Sequence, residues 1–180
     1  MHDALVVIDV INDFAHPDGA ALLDSFRACQ PALVESLEDA RARDVPVIYV
    51  NDSHGSWDWD VAGWIERTAR ASPAPELVES VAPRAGDAFL RKPRYSAFDQ
   101  TPLALVLGSL EIERILLVGS ATEMCIVQSA IDARELGLKV TILAAACASV
   151  DAGDEELALA YAERVAGVFV ERARATIPTA

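Results

Sequence analysis

Short runs of consecutive apolar residues alternate with longer segments of helical periodicity, and this alternation restricts the possible folds more than any other feature. The runs are rich in Val, Ile and Leu, a pattern typical of strands that are covered on both faces of a parallel sheet. They predict six strands, at 4–10, 45–51, 87–92, 114–120, 138–144 and 167–173. Helices are predicted between them, at 21–43, 101–110, 123–136 and 154–165. Strands that alternate with helices indicate right-handed βαβ units and a three-layer α/β/α sandwich with a mainly parallel six-stranded, Rossmann-like sheet.

The length and charge of the chain narrow its possible organisation and partners. With 180 residues, a single domain over 1–180 is predicted. The chain has 28 acidic and 15 basic side chains, a net charge of −13, so nucleic acid is not an expected partner. No apolar run approaches the roughly 20 residues that span a bilayer, so no membrane partner is expected either. The N-terminus resembles a strand rather than a signal peptide, and the three cysteines form no disulfide framework, which together predict a cytoplasmic protein.

Two segments leave alternatives open. Pro31 lies inside the first helical segment and must kink that helix or end its first part. Residues 51–86 have no clear periodicity and contain all three tryptophans, Trp57, Trp59 and Trp64. A long aromatic connection of this kind is often a lid or a binding loop. The alternative is that the rings cover the edge of the sheet or an oligomer contact.

Three chemically active side chains follow predicted strands. In open parallel sheets, ligands bind beyond the carboxyl ends of the strands, and Asp9, Lys92 and Cys125 lie at or just after such ends. Each has a structural alternative: Asp9 as a carboxylate that bonds loop amides, Lys92 as a chance placement, and Cys125 as a small packed side chain. Together they suggest a general base, a cation and a nucleophile at one edge of the sheet.

The surroundings of Lys92 and Cys125 favour a functional role. Lys92 is one of only two lysines, against thirteen arginines, which suggests a position that needs a compact ammonium group. Cys125 lies near a predicted helix start, where unpaired amides and the helix dipole are expected to lower the pKa of its thiol. Cys29 and Cys147 are expected to be packed core residues. Ser120 and Glu123 fit the S-x-x-E capping box of a helix start.

These positions resemble the motifs of the isochorismatase-like cysteine hydrolases over nearly the whole chain. ALVVIDVINDF is similar to the first-strand motif of that family, RKPRYSAF to its lysine motif and GSATEMC to its nucleophile motif. The resemblance implies the isochorismatase-like α/β fold and a catalytic triad of Asp9, Lys92 and Cys125. It also implies a cis peptide between Ser120 and Ala121, and an oxyanion hole formed by the N–H groups of Ala121 and Cys125.

The implied activity is cysteine-dependent hydrolysis of a C–N bond in a small carboxamide or carbamoyl compound, through a thioester and with release of ammonia or an amine. Because relatives that cleave vinyl ethers can lack the cysteine, Cys125 favours the amidase branch. An isochorismatase-type vinyl-ether hydrolase and a non-catalytic binding or assembly protein of the same fold remain alternatives. Relatives commonly form oligomers, so a homodimer or homotetramer is expected.

Two departures from the family pattern affect the expected site. Glu123 stands where the motif more often has Asp or Asn, and the sequence leaves open whether it alters the entrance or caps the helix. Asp52-Ser53-His54 resembles the Asp-x-His part of the nicotinamidase metal site, but His2 and His16 do not have the spacing of its second histidine. Because a bound metal ion usually has at least three protein ligands, no metal or other cofactor is expected.

The substrate pocket is expected to be lined by aromatic residues of the loops that follow the strands. Phe14, Tyr95 and Trp57 are the predicted contacts. Asn12 is predicted to bond its own loop, with a substrate contact as the alternative. Aromatic lining suggests a small amide or ureido compound as substrate.

Overall fold

Six parallel strands form a single sheet in this computed structural model, which describes residues 2–53, 55 and 60–178. The strands are β1 (Asp3–Ile8), β2 (Val47–Asp52), β3 (Ala88–Lys92), β4 (Arg114–Ser120), β5 (Lys139–Ala148) and β6 (Phe169–Glu171). Their order across the sheet is β3-β2-β1-β4-β5-β6, and every recorded pair is parallel. The chain moves outward from β1 in one direction and then from β4 in the other. The carboxyl ends of β1 and β4 therefore form a switch point, where parallel sheets bind ligands.

Helices cover both faces of this sheet. They are α1 (Gly19–Ala42), α2 (Val61–Ala71), α3 (Pro75–Ser80), α4 (Leu103–Ser109), α5 (Val127–Glu135) and α6 (Ala152–Arg164). Alternate residues of β1 supply the two cores: Leu5 and Val7 pack with α1, whereas Val6 and Ile8 pack on the face that α4, α5 and α6 cover. The prediction of a three-layer α/β/α sandwich is thereby confirmed, with a sheet that is entirely parallel.

Several predicted element bounds were wrong. β1 ends at Ile8, so Asp9 lies just after the strand, and β5 continues to Ala148 through a change of register opposite β4. Within 51–86, where no periodicity was apparent, the chain forms α2 and α3. α3 has only six residues and buries Val78 alone, so it shows little of the pattern on which a sequence-based assignment depends. α2 is strongly amphipathic, with Trp64 and Ala69 on its buried side, so the prediction that 51–86 lacks periodicity was wrong for this helix.

Pro31 does not end the first helix. α1 continues from Gly19 to Ala42, and the ring of Pro31 lies on its exposed side. Loss of one amide hydrogen bond is tolerated here because the opposite side of α1 carries Phe26, Leu33 and Leu37, which are fully buried against the sheet. Packing of that face outweighs the local cost of the proline.

Candidate active site

Three side chains from three separate strand ends meet at the carboxyl edge of the sheet. Nζ of Lys92 lies 2.8 Å from Oδ2 of Asp9 and 3.4 Å from Sγ of Cys125. Asp9 follows β1, Lys92 is the last residue of β3 and Cys125 lies in the turn after β4. The fold therefore brings a carboxylate, an ammonium group and a thiol into one buried cluster, in which none of the three residues is more than one-tenth exposed.

The backbone at Asp9 aims its carboxylate along the edge of the sheet. Asp9 has a positive φ of 51°, a conformation that few non-glycine residues adopt and that is common at functional sites. Its Oδ1 atom accepts a 2.6 Å hydrogen bond from the amide of Asp52, and its carbonyl accepts one from Oγ of Ser120. Burial raises the pKa of this carboxyl group, while Lys92 opposes that rise. A raised pKa makes Asp9 a stronger base than an exposed aspartate.

The ammonium group of Lys92 contacts three acceptors. It is completely buried and donates to the carbonyl of Arg94 at 3.0 Å as well as to Cys125, while it pairs with Asp9. Burial by itself favours the neutral amine, but the Asp9 carboxylate and the Cys125 sulfur raise the pKa of Lys92, so the lysine is charged. Three acceptors at these short distances suit a compact ammonium group better than a planar guanidinium.

The expected lowering of the Cys125 thiol pKa was wrong. Burial raises the pKa of this thiol, the Asp9 carboxylate raises it further, and only Lys92 opposes the rise. A helix start favours the thiolate, but the loss of water around a residue that is only 8% exposed outweighs that effect. In the free protein Cys125 is therefore a thiol, held between an acceptor and a donor.

The turn that carries Cys125 is wider than an α-helix. Residues Thr122–Ile126 form a π-helical turn, in which the amide of Ile126 bonds to the carbonyl of Ala121. In an α-helix that carbonyl would accept the amide of Cys125 instead. π-turns of this kind occur frequently at functional sites. The peptide bond between Ser120 and Ala121 is cis.

The capping box, one of the two alternatives that the sequence left open for Glu123, does not form. Ser120 is the last residue of β4 and bonds to Asp9, and no side chain caps the turn at Ala121. Glu123 instead accepts a 2.7 Å hydrogen bond from the amide of Val150, which lies beyond β5. Its longer side chain thus joins the nucleophile turn to the next loop along the sheet, while its Oε2 atom is buried without a hydrogen-bond partner among the described residues.

Two further residues hold the nucleophile turn, and the sequence analysis missed both. Oγ of Ser129 donates to the carbonyl of Cys125 at 2.6 Å and accepts the amide of Ala97 at 2.8 Å, which connects the turn to the loop after Lys92. Glu155 accepts hydrogen bonds from the hydroxyls of Thr122 and Ser149. A serine four residues after Cys125 was a usable signal, because this spacing allows a hydroxyl to bond back to a carbonyl. Glu155 gave no such signal.

The predicted aromatic contacts have different surroundings. Phe14 is buried and packs edge-on against Phe26, with its amide bonded to Oδ1 of Asn12, so Asn12 bonds its own loop. Tyr95 is 55% exposed and lines a cleft of about 530 Å³ beside the triad, together with Asp52, Pro93, Arg94, Ser96, Asp99, Gln128 and Asp132.

Of the three tryptophans, Trp57 and Trp59 lie outside the described residues. Trp64 is a buried residue of α2 that packs against Phe89 and lies 4.3 Å below the guanidinium of Arg91.

The described residues do not decide whether the protein binds a metal ion or which partners it has. Over 2–53, 55 and 60–178, no three His, Cys, Asp or Glu side chains are grouped as metal ligands would be. His54 falls outside those ranges, so a site without a metal stays a prediction. In the same described part of the chain, no helix has the length and apolar character needed to cross a membrane.

Comparisons with known proteins identify the family of this chain. The isochorismatase domain matches residues 3–174. The chain is 32% identical to an isochorismatase family protein of Bacillus subtilis, YaaI, over 90% of this chain and 89% of that one. It is 30% identical to the maleamate amidohydrolase of Pseudomonas putida, over 78% and 69% of the two chains. The crystal structure of N-carbamoylsarcosine amidase from Thermoplasma acidophilum superposes with a TM-score of 0.73 at 28% identity, over the whole of both chains. The chain belongs to the isochorismatase family.

Proposed function

We propose that this protein hydrolyses the C–N bond of a small carboxamide or carbamoyl compound, with Cys125 as the nucleophile. The observation that carries the proposal is the position of the Lys92 ammonium, in contact with both Oδ2 of Asp9 and Sγ of Cys125. The reaction class has separate support, because relatives in the family include a maleamate amidohydrolase and an N-carbamoylsarcosine amidase. The protein is thus a hydrolase that acts on non-peptide C–N bonds.

In the first half of the reaction, Asp9 takes the proton of the Cys125 thiol as the sulfur attacks the substrate carbonyl. A C–S bond forms and the carbonyl π-electrons move to oxygen, which gives a tetrahedral oxyanion. When the C–N bond breaks, the proton held by Asp9 passes to the leaving nitrogen. Ammonia or an amine leaves, and the acyl group stays on Cys125 as a thioester.

In the second half, water cleaves the thioester. Asp9, again a carboxylate, takes a proton from the attacking water, and the C–S bond breaks after a second oxyanion has formed. The proton returns to sulfur, so the product acid leaves and the thiol is restored. General base catalysis of this kind typically contributes about 10²–10⁴-fold in rate.

The protonation states of the free site support a coupled first step. Because burial and Asp9 raise the pKa of the Cys125 thiol, a free thiolate is not the resting form. Burial also raises the pKa of Asp9, which makes it better able to accept the thiol proton. Deprotonation therefore accompanies attack, while the charge of Lys92 stabilises whichever of the two groups is anionic.

The oxyanion would be bound by the amides of Ala121 and Cys125. The π-turn supports this role for Cys125, because the amide of Ile126 occupies the carbonyl that the amide of Cys125 would bond in an α-helix. One donor of an oxyanion hole is worth about 3–4 kcal/mol of transition-state stabilisation. No step of this scheme requires a metal ion.

The test is a panel of small carboxamides and carbamoyl compounds, assayed for ammonia release with the wild-type protein and with Cys125→Ala. We expect turnover of at least one compound by the wild type and none by the variant, and stoichiometric, inactivating alkylation of Cys125 by iodoacetamide. Cys29→Ala is the matched control, since Cys29 is equally buried but lies in α1, away from the triad. It should retain turnover.

Other outcomes would support other functions. A Cys125→Ala variant with full amidase activity would contradict the nucleophile role. Turnover of isochorismate by that variant would indicate vinyl-ether hydrolysis, which needs no thiol. A reactive Cys125 without ammonia release from any compound of the panel would favour a non-catalytic binding protein. About one zinc or iron per chain after purification without chelator would contradict the absence of a metal.

A further inference from the structure

The cleft of about 530 Å³ beside the triad borders the helix that follows the nucleophile. Two of its residues are next to the triad: the amide of Asp52 bonds to the triad carboxylate, and Pro93 directly follows the triad lysine. Gln128 and Asp132 line the cleft from α5, three and seven residues after Cys125. Residues at these spacings lie on one face of a helix. A molecule with its carbonyl at Cys125 would therefore place the rest of its length beside Gln128 and Asp132.

Acidic groups dominate the lining of this cleft. Among the described residues, its charged members are the carboxylates of Asp52, Asp99 and Asp132 and the guanidinium of Arg94, three negative charges to one positive. Nε of Arg94 lies 3.3 Å from Oδ2 of Asp99, so these two charges compensate each other. The remaining charge of the lining is negative, and the potential in the cleft favours a cation over an anion.

Asp132 is a half-buried carboxylate without a compensating charge. In the part of the chain that the structure describes, its side chain has neither a hydrogen bond nor an ion pair. Cys125 and Asp132 are two helical turns apart, which puts their Cα atoms about 10 Å from each other. Because a nearby cation stabilises a partly desolvated carboxylate, Asp132 marks a position for a positive group at this distance from the nucleophile.

A buried hydroxyl in the same cleft also has an unused donor. Ser96 is 5% exposed, and its Oγ atom accepts the amide of Phe98 at 3.2 Å. No described residue accepts the proton of this hydroxyl. Buried polar groups are nearly always hydrogen-bonded, so the proton is available to an acceptor atom of a molecule in the cleft. Ser96 and Asp132 thus indicate independently that the cleft binds a polar ligand.

We propose that the substrate is a small carboxamide that carries an ammonium group, which binds in this cleft beside Asp132. The proposal rests on the proposed amide hydrolysis and adds to it the chemical class of the substrate. A chain of six bonds is about 7 Å long when extended. With a contact of about 3 Å at either end, it spans the two helical turns between Cys125 and Asp132. A carboxylate at the same end of the substrate would meet a negative lining, so amides of dicarboxylic acids should be poor substrates.

Three amides of equal length that differ only in their terminal group test the proposal. 6-Aminohexanamide ends in an ammonium group, heptanamide in a methyl group, and the monoamide of heptanedioic acid in a carboxylate. With the wild-type protein, kcat/KM for ammonia release should be at least about 10-fold higher for 6-aminohexanamide than for heptanamide, as one charge pair in a partly hydrated cleft provides. The value for the carboxylate compound should be lower than for heptanamide.

Variants of Asp132 test which residue selects the cation. Asp132→Asn should lower the preference for 6-aminohexanamide over heptanamide about 10-fold, and Asp132→Lys should shift the preference to the carboxylate compound. Glu135→Gln is the matched control, because Glu135 is an exposed carboxylate of the same helix that does not line this cleft. Its loss removes one negative charge as well and should leave the preference unchanged. Circular dichroism verifies that each variant folds.

Binding to Cys125→Ala separates this proposal from the proposed reaction, because binding needs no nucleophile. The dissociation constants of the three compounds, measured by NMR titration, should follow the same order as kcat/KM. If no amide is hydrolysed but the ammonium compound still binds best, and does so through Asp132, the reaction is wrong and the cation site stands. Three results would overturn the cation site: a wild-type preference for the methyl or carboxylate compound, no measurable binding of any of the three, or equal effects of Asp132→Asn and Glu135→Gln.

Discussion

Oδ2 of Asp9 and Nζ of Lys92 are 2.8 Å apart in a site where the lysine is completely buried. The carboxylate stands after β1 and the lysine ends β3, with β2 between the two strands in the sheet. Each charge compensates the other, because neither side chain has enough water around it to be stable alone. This ion pair sets the pKa and the reactivity of the Cys125 thiol, and both can be measured.

Replacement of Asp9 should change turnover and thiol reactivity in opposite directions. In Asp9→Asn the negative charge beside the thiol is lost while Lys92 remains, so the pKa of Cys125 falls from its raised value. Iodoacetamide at pH 7 should then alkylate Cys125 faster than in the wild type. Turnover should fall at least about 100-fold, since the base is gone. Asp18→Asn, an exposed carboxylate before α1, should change neither. Slower alkylation of Asp9→Asn would contradict the assigned electrostatics.

The pH dependence of alkylation follows from the same raised pKa. In the wild type, the rate of alkylation of Cys125 by iodoacetamide should still rise with pH above 9, where an exposed thiol is already mostly ionised. The apparent pKa from this profile should be lower in Asp9→Asn. A wild-type profile that levels off below pH 8 would show that the thiol is activated in the free protein, against our prediction.

Loss of the buried ammonium should destabilise the fold as well as stop the reaction. Lys92→Met leaves the buried Asp9 without a compensating cation, which should cost about 3–5 kcal/mol of unfolding free energy. The double variant Asp9→Asn/Lys92→Met removes both charges and should recover most of that loss in urea unfolding. Lys92→Arg keeps the charge but not the compact shape, so it should be inactive, as Lys92→Met is expected to be. If the single and double variants are equally unstable, the loss comes from packing and not from the unpaired charge.

Ser129 should act as a positioning residue. Ser129→Ala leaves the amide of Ala97 buried without an acceptor and releases the carbonyl of Cys125, which should lower the unfolding free energy by about 1–3 kcal/mol. We expect kcat to fall with little change in KM, since the nucleophile turn loses its connection to the Lys92 loop. Ser109→Ala is the control: its exposed hydroxyl bonds to the carbonyl of Val106 in α4, and its loss should cost under about 0.5 kcal/mol. An unchanged kcat in Ser129→Ala would show a purely structural bond.

Gly119 should be required for the close approach of β4 to β1. Its φ is +118°, and an added Cβ would lie 2.0 Å from the carbonyl oxygen of Ile8. Gly119→Ala should therefore lower the unfolding free energy by at least about 3 kcal/mol. Gly108 in α4 has open space around it and an ordinary φ, so Gly108→Ala should stabilise the chain by about 0.5–1 kcal/mol. Equal urea midpoints for the two variants would contradict this assignment.

Much of the fold followed from patterns that depend only on neighbouring residues. Consecutive apolar positions predicted the six strands because a buried parallel strand needs apolar side chains on both faces. The rule that ligands bind beyond the carboxyl ends of parallel strands predicted that Asp9, Lys92 and Cys125 lie at one edge of the sheet. α3 was missed because it has six residues and buries only Val78, whereas α2 was missed although its apolar residues follow a helical period.

The sequence by itself determined the layered α/β architecture and the types of side chain at the carboxyl edge of the sheet. It also contained the three motifs that resemble those of the isochorismatase family. Only the tertiary structure decided the protonation of Cys125, the connection made by Glu123 to Val150, and the roles of Ser129 and Glu155. The physical reason is the same for each. Burial and hydrogen bonding are set by residues that are distant in the chain, and a local rule such as the helix start or the capping box does not include them.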